Sequence, residues 1–255
     1  MVAHGGDFVK SDPTQILQIP LALPHFLWYN VFWIYFCKTA EGIMSTFILK
    51  IIAALTMTVD HAGLLLFGNE PWMRIVGRIA FPLFAFFIAE GFRYTRDRRR
   101  YFFGILALGT VCQLVAAIFS PGEVWNVLLT FSLSLILLYL LDRSKADARF
   151  LAAFGAGLIL VFFFTEYIPV DYGFFGVLLP LFAALFEKKW ARLGAFAVGL
   201  TVLCLEYSSL QWYSMLSLVL LALYNGKPGK YKLKYFFYIF YPLHLAVLWG
   251  IRYLI

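Results

Sequence analysis

Apolar residues run through this chain in long, nearly unbroken blocks, each about the length that crosses a ~30 Å hydrocarbon core, with short polar loops between them. The blocks predict helices over 47–67, 72–92, 101–119, 124–141, 150–165, 173–186, 190–205, 210–224 and 235–254. They are continuous rather than alternating, which argues against the strands of a closed barrel. Composition sharpens this: 62% of the 255 residues are hydrophobic and only 14% charged, where a soluble domain carries ~25% charged residues. Mean hydropathy is +0.81. The expected fold is an all-α, polytopic transmembrane helix bundle of about nine to ten helices.

Residues 1–43 read differently. A polar start leads into LALPHFLWYNVFWIYFC, which is interrupted by Pro24, His25 and Asn30. It has neither a basic leader nor a small-residue cleavage site, so it is not read as a signal peptide. It is either a tenth, atypical helix or an extension ahead of a natural start at Met44, and the clean helix after Met44 favours the second. Residues 44–255 then form the domain. Cys37, Cys112 and Cys204 sit in separate apolar segments and read as free thiols.

Charge changes the picture most in the loops. RYTRDRRR, DRSKADAR, EKKWAR and NGKPGKYKLK hold fifteen of the twenty-one Lys and Arg. The alternate loops hold none, and contain Glu70, Glu123, Glu166, Asp171 and Glu206. The positive-inside rule puts the basic loops in the cytoplasm and the C-terminus outside. The +7 net charge therefore reports topology rather than nucleic-acid binding.

Candidate chemistry lies where charge enters an apolar block. DHAGLLLFGNEPWMRIVGRIAFPLFAFFIAEGFR carries Asp60, His61, Arg74 and Arg78. A charge in hydrocarbon costs ~2.5–3.5 kcal/mol, so the four should face a polar cavity. His61 would act as general base, Asp60 or a neighbouring carboxylate would hold its ring, and Arg74 or Arg78 would stabilise negative charge. The competing reading is a structural Arg–Asp pair beside a hydrogen-bonded histidine. Tyr241 and His244, one turn apart beside Pro242, either reach the same cavity or pack in the core. Asp171 and Tyr172, near Glu166, either bind an acceptor or are simply solvated. Arg93, Arg96, Arg98, Lys227 and Lys230 suit the phosphates of a cytoplasmic cofactor. No Walker, Rossmann, HExxH or clustered Cys/His pattern is present, so neither a nucleotide hydrolase nor a metal site is expected.

In order, LKIIAALTMTVDHAG, RIVGRIAFPLFAFFIAEGFRYTRDRRRY, NVLLT, DYGFFGVLLP, YNGKPG and KYFFYIFYPLHL resemble the TraX family of integral membrane proteins. That resemblance runs from about Met44 to the C-terminus. It implies N-acetylation of a pilin-like acceptor in the bacterial inner membrane, and kinship with transmembrane acyltransferases that use cytoplasmic acetyl-CoA. The expected protein is an acetyl-CoA-dependent acetyltransferase acting on an envelope protein or glycan among membrane lipid, with no metal. O-acetylation of a glycan or lipid, an ion or proton transporter built on Asp60, His61 and Arg78, and a non-enzymatic assembly factor are the rivals. Inverted repeats typical of transporters are not evident.

Overall fold

A computed structural model describes residues 42–119, 126–229 and 236–255. The uncertain N-terminal stretch up to residue 41, Cys37 included, lies outside them, as does Lys230. Each of the nine expected spans is helical, and two are broken. In chain order the helices are α1 (Thr46–Leu65), α2 (Pro71–Gly77), α3 (Ala80–Tyr94), α4 (Arg98–Phe119), α5 (Val127–Ser144), α6 (Arg149–Tyr167), α7 (Gly173–Ala184), α8 (Lys189–Glu206), α9 (Leu216–Ala222) and α10 (Phe236–Leu254). A 3₁₀ segment, Ser209–Met215, leads into α9. Among the described residues there is no strand, only an isolated bridge between Met44 and Tyr224. Among the described residues five helical rods are long and apolar enough to cross a membrane: Thr46–Leu65, Pro71–Tyr94, Arg98–Ile118, Val127–Ser144 and Arg149–Tyr167. The chain is an all-α, multi-pass membrane bundle.

The two breaks have local causes. Pro82 has no N–H to offer the Arg78 carbonyl four residues back, so the rod interrupts at Arg78 and resumes at Ala80. The expected single span over 210–224 begins instead as 3₁₀, which lets Gln211 and Ser214 turn inwards, both buried. The Pro71–Tyr94 rod is the most enclosed of the five. Its α3 half buries Phe81, Leu83, Phe86, Phe87 and Phe92. α4 and α6, by contrast, turn most of their surface outwards.

Polar contacts pin helices to one another where lipid supplies no hydrophobic drive. Ser134 Oγ donates to the Val177 carbonyl at 2.8 Å and Thr130 Oγ1 to that of Asp171 at 2.7 Å, joining α5 to α7 and the loop before it. Asn126 caps α5 by accepting from the Leu128 N–H, while its own N–H and amide donate to Gln113 on α4. At the other end of the bundle the described parts of the basic loops gather: Arg98 pairs with Asp142, Lys189 Nζ donates to the Ala222 carbonyl, and Met44 bridges to the Leu223–Asn225 segment.

Candidate functional site

The charged cluster forms at the end of the bundle opposite the basic loops. α1 brings Asp60 and His61 to its last turns, and α2 folds back against it so that Arg74 and Arg78 face Asp60. Arg74 reaches Asp60 Oδ2 at 2.7 Å and Arg78 reaches Oδ1 at 3.2 Å. The approach is possible because position 77 is glycine: a β-carbon there would fall inside the Asp60 carboxylate. Asp60, Arg74 and Arg78 keep only 14–18% of their side-chain surface. Arg78 is fixed further by donating Nε–H to the Arg74 carbonyl and Nη1–H to Gln211 Oε1, each at 3.3 Å.

Adjacent residues on a helix point about 100° apart. Asp60 therefore faces α2 while His61 faces α10, and Asp60 makes its contacts with the arginines rather than with the imidazole. The ring that meets His61 belongs to His244: His244 Nε2 lies 3.2 Å from His61 Nδ1, with ring centroids 5.1 Å apart. His244 Nδ1 lies 2.9 Å from the Phe240 carbonyl one turn back, and the ring is stacked on Phe240 and edge-on to Tyr241.

Asp171 and Tyr172 sit in the loop before α7, within electrostatic reach of Arg78. Tyr172 holds a left-handed backbone, φ 61°, and stacks on Phe81 at 3.7 Å. Such a conformation is costly for a side chain other than glycine, and the stacking holds it. Burial pushes the Asp171 carboxyl up to about 6, with Arg78 pulling the other way. Burial likewise pushes the Tyr172 phenol above its ordinary range.

A cavity of about 640 Å³ runs between α1, α3, α4, α5 and α10. Thr46, Thr95, Gly226 and Pro228 line it at the basic end, and Val127, Leu128 and Tyr241 towards the other. Its walls are mostly aliphatic and aromatic. Tyr241 closes it one ring away from His244. Lys50 projects into this space between the rings of Phe87 and Phe237, 5.6 and 5.5 Å from their centroids. At the basic end a second cavity, about 560 Å³, is bordered by Arg93, Lys189, Arg192 and Lys227 with Glu187. Tyr94, Tyr224 and Gly226 border both cavities. Of the other expected anion-binding residues, Arg98 is held by Asp142, and Arg96 is exposed and borders neither.

Three further groups carry the site without having stood out in the sequence. Glu90, buried in α3, pairs with Arg192 Nη2 at 2.5 Å and accepts from the Tyr224 hydroxyl at 3.2 Å. Tyr224 in turn takes a hydrogen bond from Thr46 at 2.9 Å. Gln211 holds Arg78. Glu90 obeys the rule that revealed Asp60, a charge inside an apolar block, and that signal could have found it. A neutral Gln211 gives no such signal. Among the described residues no His, Cys, Asp and Glu group could hold a metal ion.

This geometry lies within the match to a single family: the family described as TraX protein matches residues 45–252. The chain belongs to the TraX family. It is 31% identical, over 80% of its own length and 94% of the relative's, to a probable fimbrial assembly protein FimC, serogroup H1, of Dichelobacter nodosus. It is 28% identical to Protein TraX of Escherichia coli over 79% of this chain and 84% of that one. An uncharacterized protein of Rickettsia prowazekii (strain Madrid E) is also 28% identical, over 58% of this chain and 59% of its own. No solved structure matches this TraX-family chain.

Proposed function

We propose that this protein is an integral membrane acetyltransferase that moves an acetyl group from cytoplasmic acetyl-CoA to an envelope acceptor, of which the amino terminus of a pilin-like protein is the leading candidate. The observation that carries this reading is the paired imidazoles of His61 and His244, set one aromatic ring beyond an apolar cavity whose far mouth adjoins the basic loops. A thioester on a long, thin arm suits such a cavity. Its phosphates would rest against Arg93 and Lys227 at the basic end, where the bacterial cytoplasm lies under the positive-inside rule, and Lys50 offers a further cation within the shaft. The same rule supports an outward C-terminus, and the resemblance to the TraX family supports the inner membrane as the location.

His61 would take a proton from the acceptor amine as its nitrogen attacks the thioester carbonyl, and would return it to the departing thiolate. The C–N bond forms, the C–S bond breaks, and the histidine ends unchanged. Arg78, held on three sides, or Tyr241 would steady the oxyanion. Asp171 and Tyr172 would meet the acceptor on the outer side. Names of relatives agree with an envelope role, since one is a probable fimbrial assembly protein. The test is transfer of labelled acetyl from acetyl-CoA by the purified protein in lipid nanodiscs, with mass spectrometry of envelope proteins and glycans from cells with and without His61→Ala. Loss of a single acetyl addition on an envelope component supports the reading and identifies the acceptor, amine or hydroxyl. An unchanged acetyl pattern and no turnover would refute it.

A transporter has one observation in its favour: the two broken rods, Pro71–Tyr94 and Ser209–Ala222, meet where Arg78 donates to Gln211. Interrupted helices beside a charged cluster are how many carriers build their midplane sites. Turnover of labelled acetyl-CoA separates the two.

A further inference from the structure

The geometry points to His244 as the positioning residue that sets the tautomer of His61, an inference that rests on the acetyltransferase reading for its catalytic consequence but not for its structural content. A backbone carbonyl can only accept, so the 2.9 Å contact between Phe240 and His244 Nδ1 requires the hydrogen on that nitrogen. A neutral imidazole carries one N–H, so His244 Nε2 is then a lone pair. The 3.2 Å contact with His61 Nδ1 requires that His61 supply the hydrogen. His61 is thereby left as the Nδ1–H form, with its lone pair on Nε2.

That is the form a general base needs. Nε2 takes the proton of the attacking amine and later gives it to the thiolate, while Nδ1–H stays bonded to His244 throughout. The reversed tautomer would present an N–H to the amine and could not accept its proton. His244 itself is kept in register by stacking on Phe240, 5.0 Å between centroids and 8° from parallel, and by the edge of Tyr241. It is 7% exposed. Asp60, the carboxylate next to His61 in sequence, is committed to Arg74 and Arg78 and does not compete for this role, which leaves the Met57 carbonyl one turn back on α1 as the other acceptor beside the His61 ring. A histidine stands where many general bases have a carboxylate partner, so the orienting group adds no negative charge beside a ring in the membrane-spanning part of the bundle.

The decisive experiment reads the tautomer directly. The chain has four histidines, so ¹⁵N-histidine labelling gives a sparse solid-state NMR spectrum in bilayers, and His61→Gln assigns the resonance. We expect a protonated Nδ1 and an unprotonated Nε2 for His61 in the wild type, and a weakened preference in His244→Ala, where only the Met57 carbonyl is left beside the ring; an unchanged preference in that variant would show that His244 does not set the tautomer. A wild-type His61 protonated on Nε2 overturns the inference whatever the protein's activity. Kinetics supply the second arm. His244→Ala should lower kcat for acetyl transfer roughly 10- to 100-fold with little change in KM for acetyl-CoA. His244→Gln should recover most of it, because the side-chain oxygen can accept from Nδ1–H and the amide can donate to Phe240. Equal loss in both variants, or a loss confined to KM, would show that His244 packs or binds rather than orients. If wild-type protein transfers no acetyl group, the function reading fails while the NMR result still decides the tautomer.

Discussion

Asp171 carries a titration that can be read at the level of a single carboxyl. Burial raises it to about 6, above the ordinary carboxylate value. Between about pH 4 and pH 6 the native state therefore binds more protons than the unfolded chain, and the contribution of this residue to stability falls as pH rises through that window. Thermal unfolding in detergent at pH 5 and pH 7 should show wild type losing stability relative to Asp171→Asn as the pH increases. A pH-independent difference between the two would contradict the assignment. The same scale shows what a sequence reveals about such a site. Asp60, His61, Arg74 and Arg78 were legible because charge in an apolar block is expensive. Their pairing was not: the adjacency of Asp60 and His61 suggests a partnership that helical geometry turns apart. His61 finds its partner 183 residues away in His244, and no local pattern encodes a contact of that range.

Among elements, the contact between α1 and α2 decides whether the charged cluster can assemble. Gly77 leaves room for the Asp60 carboxylate, and Gly63 lets Met73 close in on the same pair of helices, where an added β-carbon would stand 2.6 Å from the Met73 Cβ. Gly77→Ala should force the helices apart, weaken both arginine contacts and cost at least tenfold in activity. Gly68→Ala makes a useful contrast. A β-carbon at position 68 meets nothing within 4 Å, and any cost there comes only from its backbone, φ +60°. Comparing thermal midpoints and acetyl transfer of the two variants checks this, and equal behaviour would argue against the packing account. Helix existence was readable from the apolar blocks. The expected span over 72–92 ran unbroken through Pro82, although that proline is the signal from which the break before α3 could have been read, whereas the 3₁₀ turn at Ser209–Met215 carries no proline and became visible only through the inward placement of Gln211.

For the whole molecule, alternation of loop charge predicts a topology as well as a fold. The described basic loops share one end and border one cavity system, while Asp60, His61 and Asp171 share the other. A reporter active only outside the cytoplasm should therefore be bright when fused after Ile255 and dark when placed in the Lys145 loop; the reverse pattern would invert the proposed direction of transfer. Nine helical blocks were readable from hydropathy alone, and among the described residues five rods are long and apolar enough to cross a membrane. The cavity was not, because it arises where five helices leave space between them, and each of those helices looks ordinary by itself.

Met44 is clasped on both sides by the turn that leads out of α9, donating to Leu223 and accepting from Asn225, and Gly42 lies so close to Asn225 that an added β-carbon would stand 2.8 Å from it. Anyone fusing an affinity handle or fluorescent partner just upstream of this point would be loading bulk onto the doorway through which the donor is proposed to arrive. Handles attached after Ile255 avoid it, and a deficit seen with the upstream fusion alone would then be an artefact of engineering rather than a property of the protein.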